Sequence, residues 1–478
     1  MISIKKNLLA ILGLASFCTH VLQADSYAHS IFVPRQISYN PVYEDALVFD
    51  EYAQMDDALL ISFKPIYNQT VGGRLKKYFN IDHAASMNVQ ENGSGDIDSL
   101  WFQVISTPGT YYSSTLSFNP VQKTSGMLFY FALMFPKDYA LTVNSAFVTR
   151  KTTMNITEKN IIAGNLGELP GFATVSEAFT STQMHYGKIA GTQSKGGIDD
   201  LQIKVLKNFR MGNDESIFAD IYALVGVPTG HSSTAVYLFE PIVGSKHAQF
   251  GLGLNAEKSF ECTNGDRVAL YGELKWRYGF KAKETRSFDM TPNGQWSRYM
   301  LFTTPTSTTD PFFAINDLTF KVDVTPRNSF DLLLAAHADV DDFRFEVGYN
   351  LWYRQSEKLS LLADTELPSV GIADLVGIAA LASGTPVTVT TASGATISEG
   401  VYPNQYQMPH DASYTLVTLD NINTVSGAQA ASCTNAVFGS LGYNRDSTNI
   451  SINASYEHGS NSNSTSIVSV WVNLDVAF

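Results

Sequence analysis

The chain carries little charge. Only 16% of its 478 residues are Asp, Glu, Lys or Arg, against about a quarter in ordinary soluble domains. It is not hydrophobic in exchange, since its mean hydropathy is -0.04. Beyond the N-terminus no apolar run approaches the ~18 residues of a membrane-spanning helix, which excludes a helical membrane protein. With 44% hydrophobic and 12% aromatic residues, disorder is excluded as well, because disorder needs low hydrophobicity and high charge. Basic residues are outnumbered, 32 against 45 acidic, which disfavours a nucleic-acid surface. Cysteine is scarce: Cys18, Cys262 and Cys433, with no CxxC and no Cys/His zinc spacing. HExxH, GxSxG, phosphate-loop, haem and calcium-loop motifs are all lacking, so no enzyme, no metal and no cofactor is expected. Length alone suggests about three domains; one large β-barrel is the competing answer.

What is present begins with an address. Residues 1–24 combine Lys5 and Lys6, an apolar stretch over 8–17 and Ala24 before Asp25, the pattern of a secretory signal peptide cut after Ala24. A lipoprotein reading at Cys18 is disfavoured by the bulky Phe17 before it. Cys262 and Cys433 then remain, at opposite ends of the topology below, too far apart to bridge.

The rest of the chain has period two. Over 268–280, Val268, Leu270, Leu274, Trp276, Tyr278 and Phe280 share one face, and Glu273, Lys275 and Arg277 the other. Phe343, Phe345, Val347, Leu351 and Tyr353 likewise oppose Arg344, Glu346, Asn350 and Arg354. Runs of this length, with aromatics clustered at their ends, suit tilted strands crossing a bilayer. No comparable stretch has a sustained helical period. The alternation predicts strands near 57–67, 97–106, 110–119, 126–135, 139–150, 199–210, 216–227, 247–260, 267–282, 329–338, 343–354, 434–443, 449–457 and 466–478. Every second connection is tight, as at Thr107-Pro108-Gly109 and Pro136-Lys137-Asp138, and the long ones all fall on the other side. The expectation is therefore an all-β, transmembrane antiparallel up-and-down barrel over 57–478, with fourteen strands favoured within a range of twelve to sixteen, short periplasmic turns and long outer loops. Strand-like pieces within 298–325 are placed in an outer loop. Residues 25–56 show no clear strand and are read as a segment at the periplasmic mouth or a small plug in the lumen.

The C-terminus is the most specific piece. Val470, Val472, Leu474, Val476 and the final Phe478 alternate with Trp471, Asn473, Asp475 and Ala477. This resembles the insertion signal of bacterial outer-membrane β-barrel proteins. The resemblance implies an outer-membrane location, contact with the barrel-insertion machinery and with outer-membrane lipid, and, if porin-like, a homotrimer. Ala223 to Gly230, with Val227-Pro228-Thr229-Gly230 at its end, is similar to a strand end of outer-membrane channels for aromatic compounds and fatty acids; Pro and Gly also simply end a ladder.

Lumen-facing charges are where selectivity would sit. The basic candidates are Lys204, Arg210, Lys275, Arg277, Arg344 and Arg354; the acidic ones are Asp200, Asp220, Glu273, Glu346 and Asp475. Lys275 and Arg277 are expected to form one basic wall with Arg344 and Arg354. His337, with Asp331 and Asp339, is the only cluster with a catalytic cast, and reads better as a pore-liner. Loop 355–433 has a helix-compatible patch over 372–381, too short to span a membrane, and could constrict the pore, cap it or present a surface. The function expected is passive diffusion of small hydrophilic solutes through a porin-like channel. The alternatives are a specific channel for apolar or aromatic compounds and a surface-exposed adhesion or structural barrel.

Overall fold

The computed structural model describes residues 27–44, 58–91, 95–104, 111–162, 171–211, 217–262, 266–304, 307–374, 394–399, 413–445 and 447–478. The signal peptide read over 1–24 lies outside them, as do residues 375–381 of the helix-compatible patch.

Twelve long strands form the barrel: β1 (Leu59–Val71), β2 (Val121–Phe135), β3 (Tyr139–Thr153), β4 (Leu201–Met211), β5 (Ile217–Val227), β6 (Gln249–Glu261), β7 (Arg267–Gly279), β8 (Arg327–Val340), β9 (Phe343–Arg354), β10 (Ser432–Arg445), β11 (Thr448–Gly459) and β12 (Ser466–Ala477). Each pairs antiparallel with the next, and β12 returns to β1 from Leu60↔Ala477 to Val71↔Ser466, so the twelve strands close into a ring. One further strand, Thr192–Ile198, continues the line of β4 along the upper half of β3 after a break at Asp199 and Asp200.

The expectation of fourteen strands is corrected to twelve. Of the segment read over 97–106, the described residues 97–104 do not cross the barrel: after a two-residue strand, the Asp98 side chain accepts from the Leu100 amide at 3.0 Å and starts a 3-10 turn over Ser99–Phe102. Leu100, Trp101 and Phe102 are buried as a contiguous block, not on alternate faces. Of the segment read over 110–119, the described residues 111–119 contribute only the five-residue strand Ser113–Ser117, shorter than the 9–11 residues of a bilayer crossing, and it pairs with Met87–Gln90 outside the barrel.

Alternation dictates the two faces of the wall. Val205, Ile221, Leu254, Leu270, Val347, Val437 and Ile452 stand exposed on the outside, a surface stable only against lipid. The intervening residues of the same strands, among them Lys204, Asp220, Glu273, Lys275 and Asn350, are buried inside. The turns at one end are tight: Lys137 and Asp138 at φ 67° and 60° join β2 to β3, the geometry that suits the right-handed twist of a two-residue hairpin.

At the other end the long connections fold together. The segments between β1 and β2, β3 and β4, β7 and β8, and β9 and β10 contribute short strands to small sheets, including Ala282–Ser287 with Thr319–Thr325 and Lys358–Leu361, and Leu301–Thr304 with Ser307–Phe313 and Gly371–Asp374. Gly371–Asp374 is thus a strand, not the start of a helix. Around these sheets packs one apolar core containing Phe79, Phe102, Phe118, Phe179, Trp296 and Tyr299. The Trp296 ring lies tilted 4.6 Å from that of Phe79 and donates Nε1–H to the Phe79 carbonyl at 2.8 Å. The buried Arg298–Asp289 pair, at 2.8 Å, ties the base of this cap together.

Candidate functional site

The lumen is not empty. Residues 27–44 run through it from the cap toward the middle of the barrel. Their upper end belongs to the cap: the His29 amide donates to the Tyr78 carbonyl at 3.1 Å, and Arg298 donates to the Ala28 carbonyl at 3.0 Å. The His29 ring, stacked 4.7 Å from Tyr78, is wholly buried, and that burial, helped by the Arg298 charge, lowers its pKa to about 3.

Lower down the backbone forms two 3-10 turns, Ile37–Tyr39 and Pro41–Tyr43. Pro41 sits where its missing N–H costs nothing, and the Asn40 side chain accepts from the Val42 amide at 3.1 Å. Between the turns the wall grips the segment on several sides. Arg35 pairs with Asp331 of β8 and donates to Asn350 of β9 at 2.8 Å. The Ser38 amide and hydroxyl both donate to Asp199, each at 3.1 Å, and Asn144 of β3 donates to the Ser38 carbonyl at 2.8 Å. Arg277 of β7 lies over the Tyr39 ring and donates to its carbonyl at 2.9 Å. Tyr43 meets Ser469 of β12 at 2.8 Å and Trp471 edge-on. At the lower end Glu44 accepts from Lys204, from Lys275 at 3.4 Å and from Gln202 at 2.9 Å. This segment of 18 residues is thus held by polar contacts, by two ion-paired side chains, Arg35 and Glu44, and by apolar packing of Phe32 into the cap core and of Ile37, Val42 and Tyr43 against the wall.

The break before β4 serves the same grip. Thr229 and Ser145 donate to the Asp199 carbonyl, which fixes the bend, and Asp200 turns toward the loop after β5, where the Ser245 and Gly230 amides donate to it at 2.8 and 3.3 Å. Burial, with the Asp199 carboxylate beside it, raises the Asp200 pKa to about 6 in spite of those bonds.

The sequence-read charges separate by level. Lys204, Lys275 and Glu273 meet around Glu44, with Lys275 and Glu273 at 3.2 Å. Arg277 lies above them, and register places it beside Ser329, which in turn pairs with Arg354. Arg344 is not part of that wall: it sits near the tight-turn end, paired with Asp339 at 2.5 Å. Asp220 accepts from Asn255 at 3.1 Å, and the buried Asp475 lines the same lower lumen. Glu346 faces Ser440 at 3.4 Å, and Arg210 is exposed at the lower rim. His337 comes within 4.0 Å of Asp339, but Asp331 is taken by Arg35 and Arg277, so the three do not form one cluster. Val470, Val472, Leu474, Val476 and Phe478 all turn outward on β12. Cys262 is exposed at a turn and Cys433 is buried, and neither is bridged.

Arg35 and Glu44, the pivots of the arrangement, escaped sequence reading. Turns and extended backbone carry no period, and the only local signal was the pair Pro34 and Pro41 in a stretch with no strand pattern.

No family model matches the chain, and no curated protein matches it. Solved structures similar to it include the COG4313 outer membrane channel from Pseudomonas putida F1 (TM-score 0.37, 9% identity, 89% of this chain and 96% of that one). Others are the transport unit of the autotransporter AIDA-I from Escherichia coli (0.30, 8%, 93% and 100%) and the CymD monoaromatic hydrocarbon channel (0.27, 8%, 93% and 94%). Similarities this low assign no activity. What stands on the strand pairing and the apolar outer wall is that the chain is a closed antiparallel β-barrel of the bacterial outer-membrane type.

Proposed function

We propose that the protein is a gated channel of the bacterial outer membrane, delivered there by a cleaved signal peptide, through which small hydrophilic solutes diffuse once residues 27–44 leave the lumen. The observation that carries this reading is a set of unmet polar groups on the lumen wall below the segment filling it, set among apolar side chains such as Leu206 and Phe218. Ser62, Asn208, Asp220 and Asn255 face inward there, and each has an oxygen with no protein partner. Buried polar atoms of that kind are met by water or cost free energy. Those unmet oxygens favour hydrophilic solutes over apolar or aromatic ones. The segment that closes the lumen is short, and part of its grip is two ion pairs, Arg35 with Asp331 and Glu44 with Lys204, whose charges water can also solvate.

A second reading has its own support. The outer connections form one cap with an aromatic core, as a barrel serving mainly to display an outer surface would need. Planar-bilayer recordings of the refolded protein and of a variant lacking residues 27–44 separate the two. The channel reading expects rare or small conductance steps in the intact chain and stable ohmic steps in the deletion. Silence from a folded, heat-modifiable deletion variant overturns it and leaves the display role.

A further inference from the structure

At the junction of the filling segment, the wall and the cap lies a cavity of about 70 Å³. Its chemistry is lopsided. Four guanidiniums line it, those of Arg35, Arg277, Arg327 and Arg354. The two carboxylates that line it, Glu284 and Glu357, are already held by Arg286 at 2.9 and 3.1 Å, and Glu284 also binds His247 at 2.6 Å. Asp331 alone serves both Arg35 and Arg277. Glu457 acts on Arg35 through space while bonded to Thr434. Among the described residues Arg327 and Arg354 have no carboxylate within ion-pair distance; Arg327 makes one long bond to the Ser356 carbonyl at 3.5 Å, and Arg354 spends its terminal nitrogens on Gln429 and Ala430.

Unspent donors point the same way. The Nε–H groups of Arg35 and Arg354 are buried without an acceptor, and buried guanidinium donors left unmet are costly. The two guanidiniums lie over the same indole, Trp352, at 5.3 and 5.7 Å from its ring, which fixes their planes. Arg327 holds a left-handed backbone at φ 69°, a conformation a non-glycine residue keeps only where its surroundings impose it.

We infer that this cavity is a binding site for a small oxyanion, a phosphate or a short carboxylate, recognised by Arg35, Arg277, Arg327 and Arg354. Guanidinium forks match carboxylate and phosphate oxygens two at a time, and a volume of this size admits a few heavy atoms, not an extended ligand. The site goes beyond the channel reading, and its test needs no conduction.

The refolded full-length protein in detergent is titrated by calorimetry with inorganic phosphate and, separately, with succinate, each against chloride at matched ionic strength, with glycerol as the neutral control. Saturable binding of phosphate, succinate or both is expected, with none for glycerol, and the preference between the two identifies the oxyanion. Arg327→Gln, which gives up a single 3.5 Å bond, and Arg354→Gln should each weaken binding by about tenfold or more. Tryptophan fluorescence should follow the same titration and lose its response in Trp352→Phe. Heat-modifiable migration checks that each variant is folded. Absence of saturable binding for both anions, or an affinity unchanged in folded Arg327→Gln and Arg354→Gln, overturns the site.

Discussion

Glu44 offers the sharpest test of how the lumen is held shut. It is the only carboxylate among residues 27–44, and it is the ion-pair partner of Lys204. Replacing it by Gln keeps the shape and removes the charge. Lys275 would retain Glu273 at 3.2 Å, whereas Lys204, which is buried, would lose its one ion-pair partner among the described residues. Breaking one side of a buried pair costs about 3–5 kcal/mol. Taking the lower end of that range, about 3 kcal/mol, the ratio of held to released segment falls by a factor on the order of 100. The readout is the reactivity of a thiol placed on the segment, Val42→Cys, in a Cys262→Ser background that removes the exposed native thiol and leaves Cys433 buried. A water-soluble maleimide should label Val42→Cys with Glu44→Gln faster by a factor on the order of 100 than Val42→Cys alone. A change below about threefold, in protein whose barrel is folded, would refute the claim that this pair holds the segment.

Further outcomes follow from the cap and from the wall. His29 titrates near 3 in the folded protein against 6.5 when released; its contribution is therefore intact above 6.5 and shrinks as pH falls, by about 2 kcal/mol at pH 5. The melting temperature should drop between pH 7 and 5, and His29→Phe should flatten that drop; equal slopes in both proteins would exclude His29 as its source. Trp296→Ala removes the centre of the cap core and should cost about 3–5 kcal/mol there, seen as early protease cleavage of the outer connections while the barrel keeps its heat-modifiable migration; simultaneous loss of both would show that cap and barrel form one cooperative unit. Gly226 faces Tyr39, whose hydroxyl would lie 2.5 Å from an added Cβ. Gly226→Val should therefore push the ring away and speed labelling at Val42→Cys, and unchanged labelling would mean that the tyrosine does not fix the segment.

The barrel was legible because lipid outside and a polar lumen inside force a strict alternation on every crossing strand. Over 268–279 exposed and buried residues alternate as the sequence pattern does, and over 343–354 they do so except at Leu351, which reads as outward and is buried. The misreading at 97–106 has the same physics behind it. Leu100, Trp101 and Phe102 are as apolar as a lipid-facing strand, but their burial comes from the cap, and single-sequence periodicity does not say which apolar phase a run enters. Residues 27–44 were beyond reach for another reason. Their partners, Asp331 and Lys204, lie hundreds or scores of positions away, and a chain surrounded by wall on all sides needs no repeating pattern of its own. Parity could assign Lys204 to the lumen, but not to Glu44.

The path of residues 27–44 also constrains how the molecule can be assembled. They precede β1, whose first residue Leu59 exchanges backbone bonds with the last residue, Phe478, yet their upper end is bound among side chains from the opposite mouth, Tyr78, Phe239 and Arg298. Once the seam between β1 and β12 is zipped, that end could reach its place only by being drawn lengthwise through a ring crowded with charged side chains. Folding therefore favours an order in which the sheet curls around an already seated thread and the seam closes last. A bulky tag fused ahead of residue 27 should then slow closure of the seam far more than the same tag placed at a tight turn, and the contacts between residues remote in sequence make slow maturation the natural tempo of this chain.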